Sequence, residues 1–162
     1  MIYKTECFVV CENSTVDYTA ALHTGSTYEW IILGDDNHVA NGNTVSVDWG
    51  APGTAFVKVI ETDVNGCVNE DVRCIKVVEN PEALFTTDPK LDQDSVVRIC
   101  DGQYVQFTDL STGSTESPII NWYWDFDDGN TANGTSVNHS YAWSGTFRPI
   151  LETVSDSGCT DT

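Results

Sequence analysis

The stretch of sequence that decides the fold lies in the second half of the chain and is soon followed by a short histidine and tyrosine motif. It reads Trp122-Tyr123-Trp124-Asp125-Phe126-Asp127-Asp128-Gly129, and then His139-Ser140-Tyr141. Aromatic rings alternate with other side chains before several carboxylates run into a glycine. This pattern predicts a β-strand that crosses a hydrophobic core and ends at an acidic turn.

The rest of the chain also favours strands over helices. Gly, Asn, Asp, Ser and Thr interrupt every segment, and the apolar residues between them alternate. The strands predicted in the first half are Ile2–Val10, Thr15–Ala20, Thr27–Leu33, Thr44–Trp49, Ala55–Thr62 and Asp71–Glu79. Turns are predicted at residues 34–37, 41–43 and 65–66. Short strands at this spacing predict an all-β chain of immunoglobulin-like sandwich type.

An internal repeat divides the chain into two copies of one domain. Val10–Thr19 aligns with Ile99–Thr108, and Tyr28–Trp30 aligns with Trp122–Trp124 after a short insertion. Further matches are Gly53-Thr54 with Gly145-Thr146, Glu61-Thr62 with Glu152-Thr153, and Gly66-Cys67 with Gly158-Cys159. The repeat predicts tandem domains at residues 1–80 and 81–162. The second copy ends soon after Cys159, so we expect it to lack its closing strand.

The charge balance restricts the possible partners. Seven Lys and Arg residues stand against 25 Asp and Glu residues, which gives a formal charge of −18. This charge repels phosphates and anionic lipid head groups, so nucleic acid is excluded as a partner. No stretch is apolar enough for direct membrane insertion, and the first 30 residues carry no export signal. The export signal and any anchor are expected to lie outside this sequence or to have been removed.

Six cysteines, none in a Cys-x-x-Cys pair, favour disulfides and an oxidising, extracellular setting over a metal site. The repeat places Cys11 and Cys67 where Cys100 and Cys159 lie in the second copy. We therefore expect the bridges Cys11–Cys67 and Cys100–Cys159. Cys7 and Cys74 fall on the predicted first and last strands, where a third bridge forms if these strands are neighbours. The alternative is an intermolecular bond from Cys7.

The second copy carries the residues of a family resemblance. They are Val105–Ser111, Trp122–Asn130, His139–Tyr141, Gly145–Phe147 and Asp156–Cys159. These segments closely resemble the PKD (polycystic kidney disease) domain, which implies a seven-stranded immunoglobulin-like sandwich. The positions that match its signature core are Trp122, Trp124, Asp125, Phe126, Asp128, Gly129, His139 and Tyr141. Asp127 stands where the family has a glycine, which is expected to alter the turn, and the first copy looks like a divergent relative.

The resemblance extends to the setting in which such domains occur. Paired, cysteine-bearing PKD-like repeats are similar to those of large surface and secreted proteins of Bacteroidota. Those proteins commonly use type IX secretion and include gliding-motility adhesins. The resemblance therefore implies an extracellular or bacterial cell-surface location and no enzymatic activity.

The acidic turns offer a possible metal site. Carboxylates clustered on a glycine turn suit a hard cation, so Ca²⁺ is considered at Asp127 and Asp128, although the fold requires no cofactor. Weaker candidates for the same ion are Asp35-Asp36-Asn37 and the group Asp88, Asp92 and Asp94. Glycosidase chemistry at the aspartates and zinc binding by the scattered histidines are excluded, since neither has a suitable arrangement. His139 is expected to be a buried, hydrogen-bonded structural residue.

Three functions remain open. The first is a structural or adhesive repeat, a rigid force-bearing spacer whose partners are neighbouring repeats or further copies of the chain. The second is an accessory module of a secreted glycosidase or protease that binds a polysaccharide or protein surface, with Trp143 and Trp49 as candidate contact residues. The third is a filament subunit in which Ile2–Val10 of one copy completes the sheet of another.

Overall fold

The computed structural model describes residues 6–90 and 97–162. The chain divides into two compact units, Met1–Glu79 (unit 1) and Asn80–Thr162 (unit 2). Both are built from strands, and the described residues include no helix long and apolar enough to cross a membrane. The all-β, immunoglobulin-like fold predicted from the sequence is therefore confirmed.

Unit 1 is a sandwich of two sheets. Its strands are β1 Phe8–Cys11, β2 Thr15–Thr19, β3 Thr27–Leu33, β4 Asn37–Asn41, β5 Thr44–Asp48, β6 Gly53–Thr62 and β7 Val68–Val78. One sheet has the order β1-β7-β6-β3 and the other the order β2-β5-β4. Alternate residues of these strands point inward, and their side chains form the core. The buried members are Ile32, Val45, Val47, Trp49, Ala55, Val57, Ile75 and Val77.

The first and last strands of unit 1 are neighbours. β1 runs parallel to β7, with Phe8 opposite Ile75 and Cys11 opposite Val78. A disulfide joins Cys7 to Cys74 just ahead of this ladder, with the two Cα atoms 4.6 Å apart. The predicted Cys7–Cys74 bridge is therefore confirmed.

Unit 2 repeats the sandwich with a different arrangement of its edges. Its strands are β8 Phe85–Asp88, β9 Tyr104–Asp109, β10 Ile119–Asp125, β11 Thr131–Asn133, β12 Ser136–Ser140, β13 Ile150–Ser155 and β14 Thr160–Asp161. The sheets have the orders β11-β10-β13-β14 and β12-β9-β8. Their inward faces enclose an aromatic core that includes Phe107, Trp124, Phe126 and Tyr141.

The two units share hydrogen bonds and turn conformations at several positions that the sequence repeat aligns. The indole Nε1 of Trp30 donates to the carbonyl of Gly42 at 3.0 Å, and that of Trp124 donates to Gly134 at 2.8 Å. The turns that contain Gly66 and Gly158 also correspond, since the two glycines have φ angles of 81° and 83°. The local structure is therefore similar at these aligned positions.

The other two predicted disulfides are wrong. Cys67 and Cys100 carry free, exposed thiols, whereas Cys11 and Cys159 are disulfide-bonded. The reason in unit 1 is distance. Cys11 lies opposite Val78 at the end of β7, but Cys67 directly precedes its first residue. An extended strand of 11 residues places those ends about 30 Å apart, whereas a disulfide requires Cα atoms within about 7 Å.

One strand prediction also needs correction. The sequence was interpreted as turns on either side of residues 37–41, but these residues form β4, whose side chains are all exposed. An edge strand without an inward face has no alternating apolar pattern to detect. In unit 2, β14 begins at Thr160, the position that the repeat aligns with the first residue of β7. Its two residues pair with Val154 and Thr153 of β13. Of the predicted strand Ile2–Val10, residues 1–5 lie outside the described residues.

Candidate functional site

The candidate site is the signature stretch of β10 and the turn that follows it. Trp124 and Phe126 point into the core with 1% and 2% of their surface exposed, while Tyr123 and Asp125 face solvent. This is the alternation that the sequence predicts for a half-buried strand. Both core rings contact Phe107 on the opposite sheet, at centroid distances of 5.6 and 5.2 Å. The strand is therefore fixed by aromatic packing.

The carboxylates of the turn accept hydrogen bonds from the backbone. Asp125 Oδ1 accepts from the N–H of Asp127 at 2.9 Å, and Asp128 Oδ1 accepts from the N–H of Asn130 at 3.0 Å. Such Asx turns hold the chain in a tight reversal. The prediction that these side chains cap backbone groups is confirmed.

Asp127 keeps the backbone conformation of a glycine. Its φ angle is 61°, in the left-handed region that side chains with a Cβ rarely adopt. The cost of order 1 kcal/mol is smaller for aspartate than for most residues. Its Oδ2 also accepts from the backbone N–H of Arg148 at 3.0 Å, which links the turn to the segment ahead of β13. The expected change in the turn is therefore not a change of backbone shape but an added hydrogen bond.

His139 closes the turn from the opposite sheet. Its Nε2 lies 2.8 Å from Asp128 Oδ2, and the two side chains are 12% and 3% exposed. Burial raises the pKa of Asp128, but the hydrogen bonds from the Asn130 N–H and from His139 outweigh it and hold that pKa below its ordinary value. His139 is thus hydrogen-bonded as the sequence predicts, and it is partly rather than fully buried.

A continuous row of rings runs from the turn along the core. Phe126 stacks on His139 at 4.0 Å, His139 meets the edge of Tyr141 at 4.7 Å, and Tyr141 stacks on Phe147 at 4.1 Å. Burial, with the nearby charges of Asp128 and Asp127, raises the pKa of Tyr141 to about 12. No described residue forms a hydrogen bond with its buried phenol oxygen.

Comparison with known proteins finds similarity to a domain family in unit 2. Residues 86–162 match the PKD domain family. A solved structure of fibronectin(III)-like modules of CbhA from Clostridium thermocellum superposes with a TM-score of 0.52 and 12% identity. That similarity covers 99% of this chain and 87% of the other, and at this identity it reports the fold alone.

The PKD match covers unit 2 from β8 onward and leaves unit 1 outside it. Unit 1 has aromatic core residues at positions that align with those of unit 2, but it lacks the acids of the turn. Val47 pairs with Val16 at the register where His139 pairs with Val105. Trp49 occupies the position of Tyr141 and donates its indole N–H to the hydroxyl of Tyr18 at 3.2 Å. The sandwich therefore forms without the aspartate and histidine pair.

The carboxylates of the acidic turn already have hydrogen-bond partners. Ca²⁺ takes six to eight oxygen ligands, whereas the oxygens of Asp127 and Asp128 described above are engaged with backbone N–H groups and His139. The described residues contain no group of three or more acidic, cysteine or histidine side chains able to hold a metal. Asp35 is instead paired with His38 at 2.6 Å. Asp92 and Asp94 lie outside the described residues.

The two candidate tryptophans for polymer binding differ in their exposure to solvent. Trp49 is 1% exposed and belongs to the core of unit 1, so it cannot contact a surface. Trp143 is 58% exposed in the loop before Gly145. The sequence analysis does not identify Phe85 as a core residue, and it includes Phe147 only as part of the Gly145–Phe147 motif. Both rings pack against the core of unit 2. Their signal was the alternation of apolar residues at Phe85 and the Gly145-Thr146-Phe147 motif.

Proposed function

We propose that this chain is a pair of non-catalytic structural repeats of a secreted or cell-surface protein, and that the repeats act as force-bearing spacers. The PKD match of unit 2, the sandwich architecture of both units and the disulfide of unit 1 support an extracellular structural module. The adhesin or stalk to which such repeats belong would carry its binding tip elsewhere.

The observation that carries the proposal is the path of force through unit 1. Tension that enters ahead of Cys7 passes through the disulfide to Cys74 and leaves after Glu79. The intervening loop, with a sequence separation of 67 residues, lies outside this covalent path. At about 3.4 Å per residue, the bridge prevents this loop from adding about 230 Å to the length of the stretched chain.

The parallel ladder supports the same conclusion. β1 and β7 are hydrogen-bonded side by side from Phe8 to Cys11, and the N–H of Glu12 continues the ladder with a 2.8 Å bond to the Val78 carbonyl. When the bridge is open, tension enters along β1 and leaves along β7, and it loads these bonds together in shear. Unit 1 therefore has a covalent and a hydrogen-bonded clamp at the same place.

Single-molecule pulling tests this path. One handle is placed at the amino terminus and the other at exposed Glu79, so that only unit 1 is loaded. The wild type under oxidising conditions is expected to show no long unfolding step. The Cys7→Ser/Cys74→Ser variant is expected to show one of about 230 Å. Equal long steps in both proteins would refute the proposal.

A second candidate function rests on Trp143. An exposed indole 58% accessible to solvent is suited to stacking on a sugar or packing on a protein fibre. Retention on cellulose, chitin or collagen that is lost in Trp143→Ala would favour an accessory polymer-binding module. Equal behaviour of the variant and the wild type would leave the spacer as the function.

A further inference from the structure

Two of the six cysteines remain reduced in a chain that is otherwise oxidised. Cys67 and Cys100 are free and exposed, while Cys7, Cys74, Cys11 and Cys159 are disulfide-bonded. An oxidising compartment that forms the other bonds also acts on exposed thiols. The presence of two free thiols therefore requires an explanation.

The repeat sorts four cysteines into two kinds. Cys67 and Cys159, the hairpin cysteines, end equivalent turns: the N–H of Asp63 donates to the Cys67 carbonyl at 2.9 Å, and the N–H of Ser155 donates to the Cys159 carbonyl at 2.9 Å. The upstream cysteines are Cys11 and Cys100. Each is followed two residues later by a residue of positive φ, Asn13 at 56° and Gly102 at 73°. Each unit thus holds one cysteine of each kind.

The kind that is free in one unit is bonded in the other. The hairpin kind is bonded at Cys159 and free at Cys67, while the upstream kind is bonded at Cys11 and free at Cys100. Both positions can therefore form disulfides within this fold. Neither unit bonds its own hairpin cysteine to its own upstream cysteine, because Cys67 and Cys100 are free.

We propose that Cys67 of one copy of this chain forms a disulfide with Cys100 of a second copy, so that copies join in tandem through one cysteine of each kind. This inference deepens the proposed function, because a covalently linked array carries force from copy to copy. The joint pairs unlike sites, so it can propagate into a linear chain.

The surroundings of Cys67 suit a protein partner. The residue lines a cavity of about 370 Å³ on unit 1, together with His23 and Glu61. Two valines beside it, Val64 and Val68, are 71% and 65% exposed. Apolar side chains at this exposure around a free thiol form a contact patch that a second copy can cover.

The bond requires an oxidant, which is a small-molecule disulfide such as oxidised glutathione. The deprotonated Cys67 thiolate attacks one sulfur of the oxidant and releases one thiol, leaving a mixed disulfide on Cys67. The Cys100 thiolate of the second copy then attacks the Cys67 sulfur and releases a second thiol. Two protein thiols lose two electrons and two protons, and one oxidant molecule becomes two thiols.

The test uses the full chain with single cysteine variants in a glutathione redox buffer. The wild type is expected to form a ladder of covalent multimers on non-reducing gels, with Cys67–Cys100 peptides found by mass spectrometry. Cys67→Ser and Cys100→Ser alone are each expected to remain monomeric. Their equimolar mixture, in which one partner supplies Cys100 and the other Cys67, is expected to give a single dimer band.

A matched control separates recognition from mere exposure. The Cys67→Ser/Asn65→Cys variant carries its thiol two residues away, at another exposed position of the same turn. When it is mixed with Cys67→Ser, which supplies Cys100, its displaced thiol is expected to cross-link far less than the Cys67 thiol of Cys100→Ser does in the same mixture.

Three results would overturn the inference. They are homodimers of the single variants as abundant as the mixed dimer, equal cross-linking by the displaced thiol, and an intramolecular Cys67–Cys100 bond in monomer. None of them affects the pulling experiment on Cys7 and Cys74, since that load path contains neither free thiol. Failure of this inference and failure of the proposed function are therefore distinguishable.

Discussion

Replacing Asp128 by alanine is expected to destabilise unit 2 by about 3 kcal/mol. The substitution removes the acceptor for the Asn130 N–H and leaves His139 without its partner in a position where both side chains are nearly buried. Asparagine keeps an oxygen that can accept from Asn130 but loses the negative charge. The Asp128→Asn variant is therefore expected to lose about 1 to 2 kcal/mol.

Hydrogen exchange followed peptide by peptide measures this loss, because peptides of unit 1 serve as an internal reference. Protection in residues 119–125 and 136–141 is expected to fall in the variants and to stay unchanged in unit 1. The matched control is Asp101→Asn, which removes an exposed charge of unit 2 and should change stability by no more than about 0.5 kcal/mol. An Asp128→Ala variant as stable as this control would refute the structural role of the turn.

The pH dependence of the same variants has a defined sign. The folded-state pKa of Asp128 is lowered, so its contribution is present above the unfolded-state pKa and is lost as pH falls through the folded-state value. The stability gap between the wild type and Asp128→Asn should therefore be largest near neutral pH and shrink in acid. A gap that widens on acidification would contradict the assignment.

Three further substitutions test other parts of the structure. Asp127→Gly relieves the strain of the positive φ angle but loses the bond from Arg148, so the free energy of unfolding in urea should change by less than about 1 kcal/mol. Asp127→Ala keeps the strain and loses the bond, so it should lower that free energy by about 1 to 2 kcal/mol. Equal losses in the two variants would be inconsistent with strain at this position. Removal of the Cys7–Cys74 bridge should cost unit 1 about 4 kcal/mol by loop-closure entropy, measured by thermal unfolding, with unit 2 unaffected. The pKa of Tyr141 is raised to about 12 in the folded protein. The contribution of its neutral phenol to the stability of unit 2 is therefore complete below the unfolded-state pKa near 10 and is lost as pH rises through about 12. Tyr141→Phe should therefore resist alkaline unfolding better than the wild type. An unchanged alkaline transition would argue against the raised pKa of Tyr141.

The parts of the fold that follow a local pattern could be predicted from the sequence. The strand through Trp124 and Phe126 is an alternating segment with a glycine turn, and β3 has the predicted bounds Thr27–Leu33. The pairing of His139 with Asp128 could be anticipated only as a contact with the turn, since the register between β12 and β9 places that ring in reach. Local alternation determines which face a residue occupies but not its partner across the sandwich.

Disulfide pairing shows where sequence reasoning fails. Six cysteines allow 15 pairings, and equal spacing in two copies identifies equivalent cysteines without identifying bonded ones. The length of β7 separates Cys11 from Cys67, and this length becomes decisive only once the hairpin and its register are known. Cys7 and Cys74 were predictable because the first and last strands of such sandwiches lie side by side.

The most direct test of the account applies a constant force to a single molecule between the amino terminus and Glu79 while a reductant is added. The force is held high enough to unfold unit 1 once its bridge is open. Before reduction, we expect only the short extension of the residues outside the bridged loop. Reduction of Cys7–Cys74 should then release one step of about 230 Å. A long step before the reductant arrives, or none after it, would contradict the claim that the disulfide carries the load.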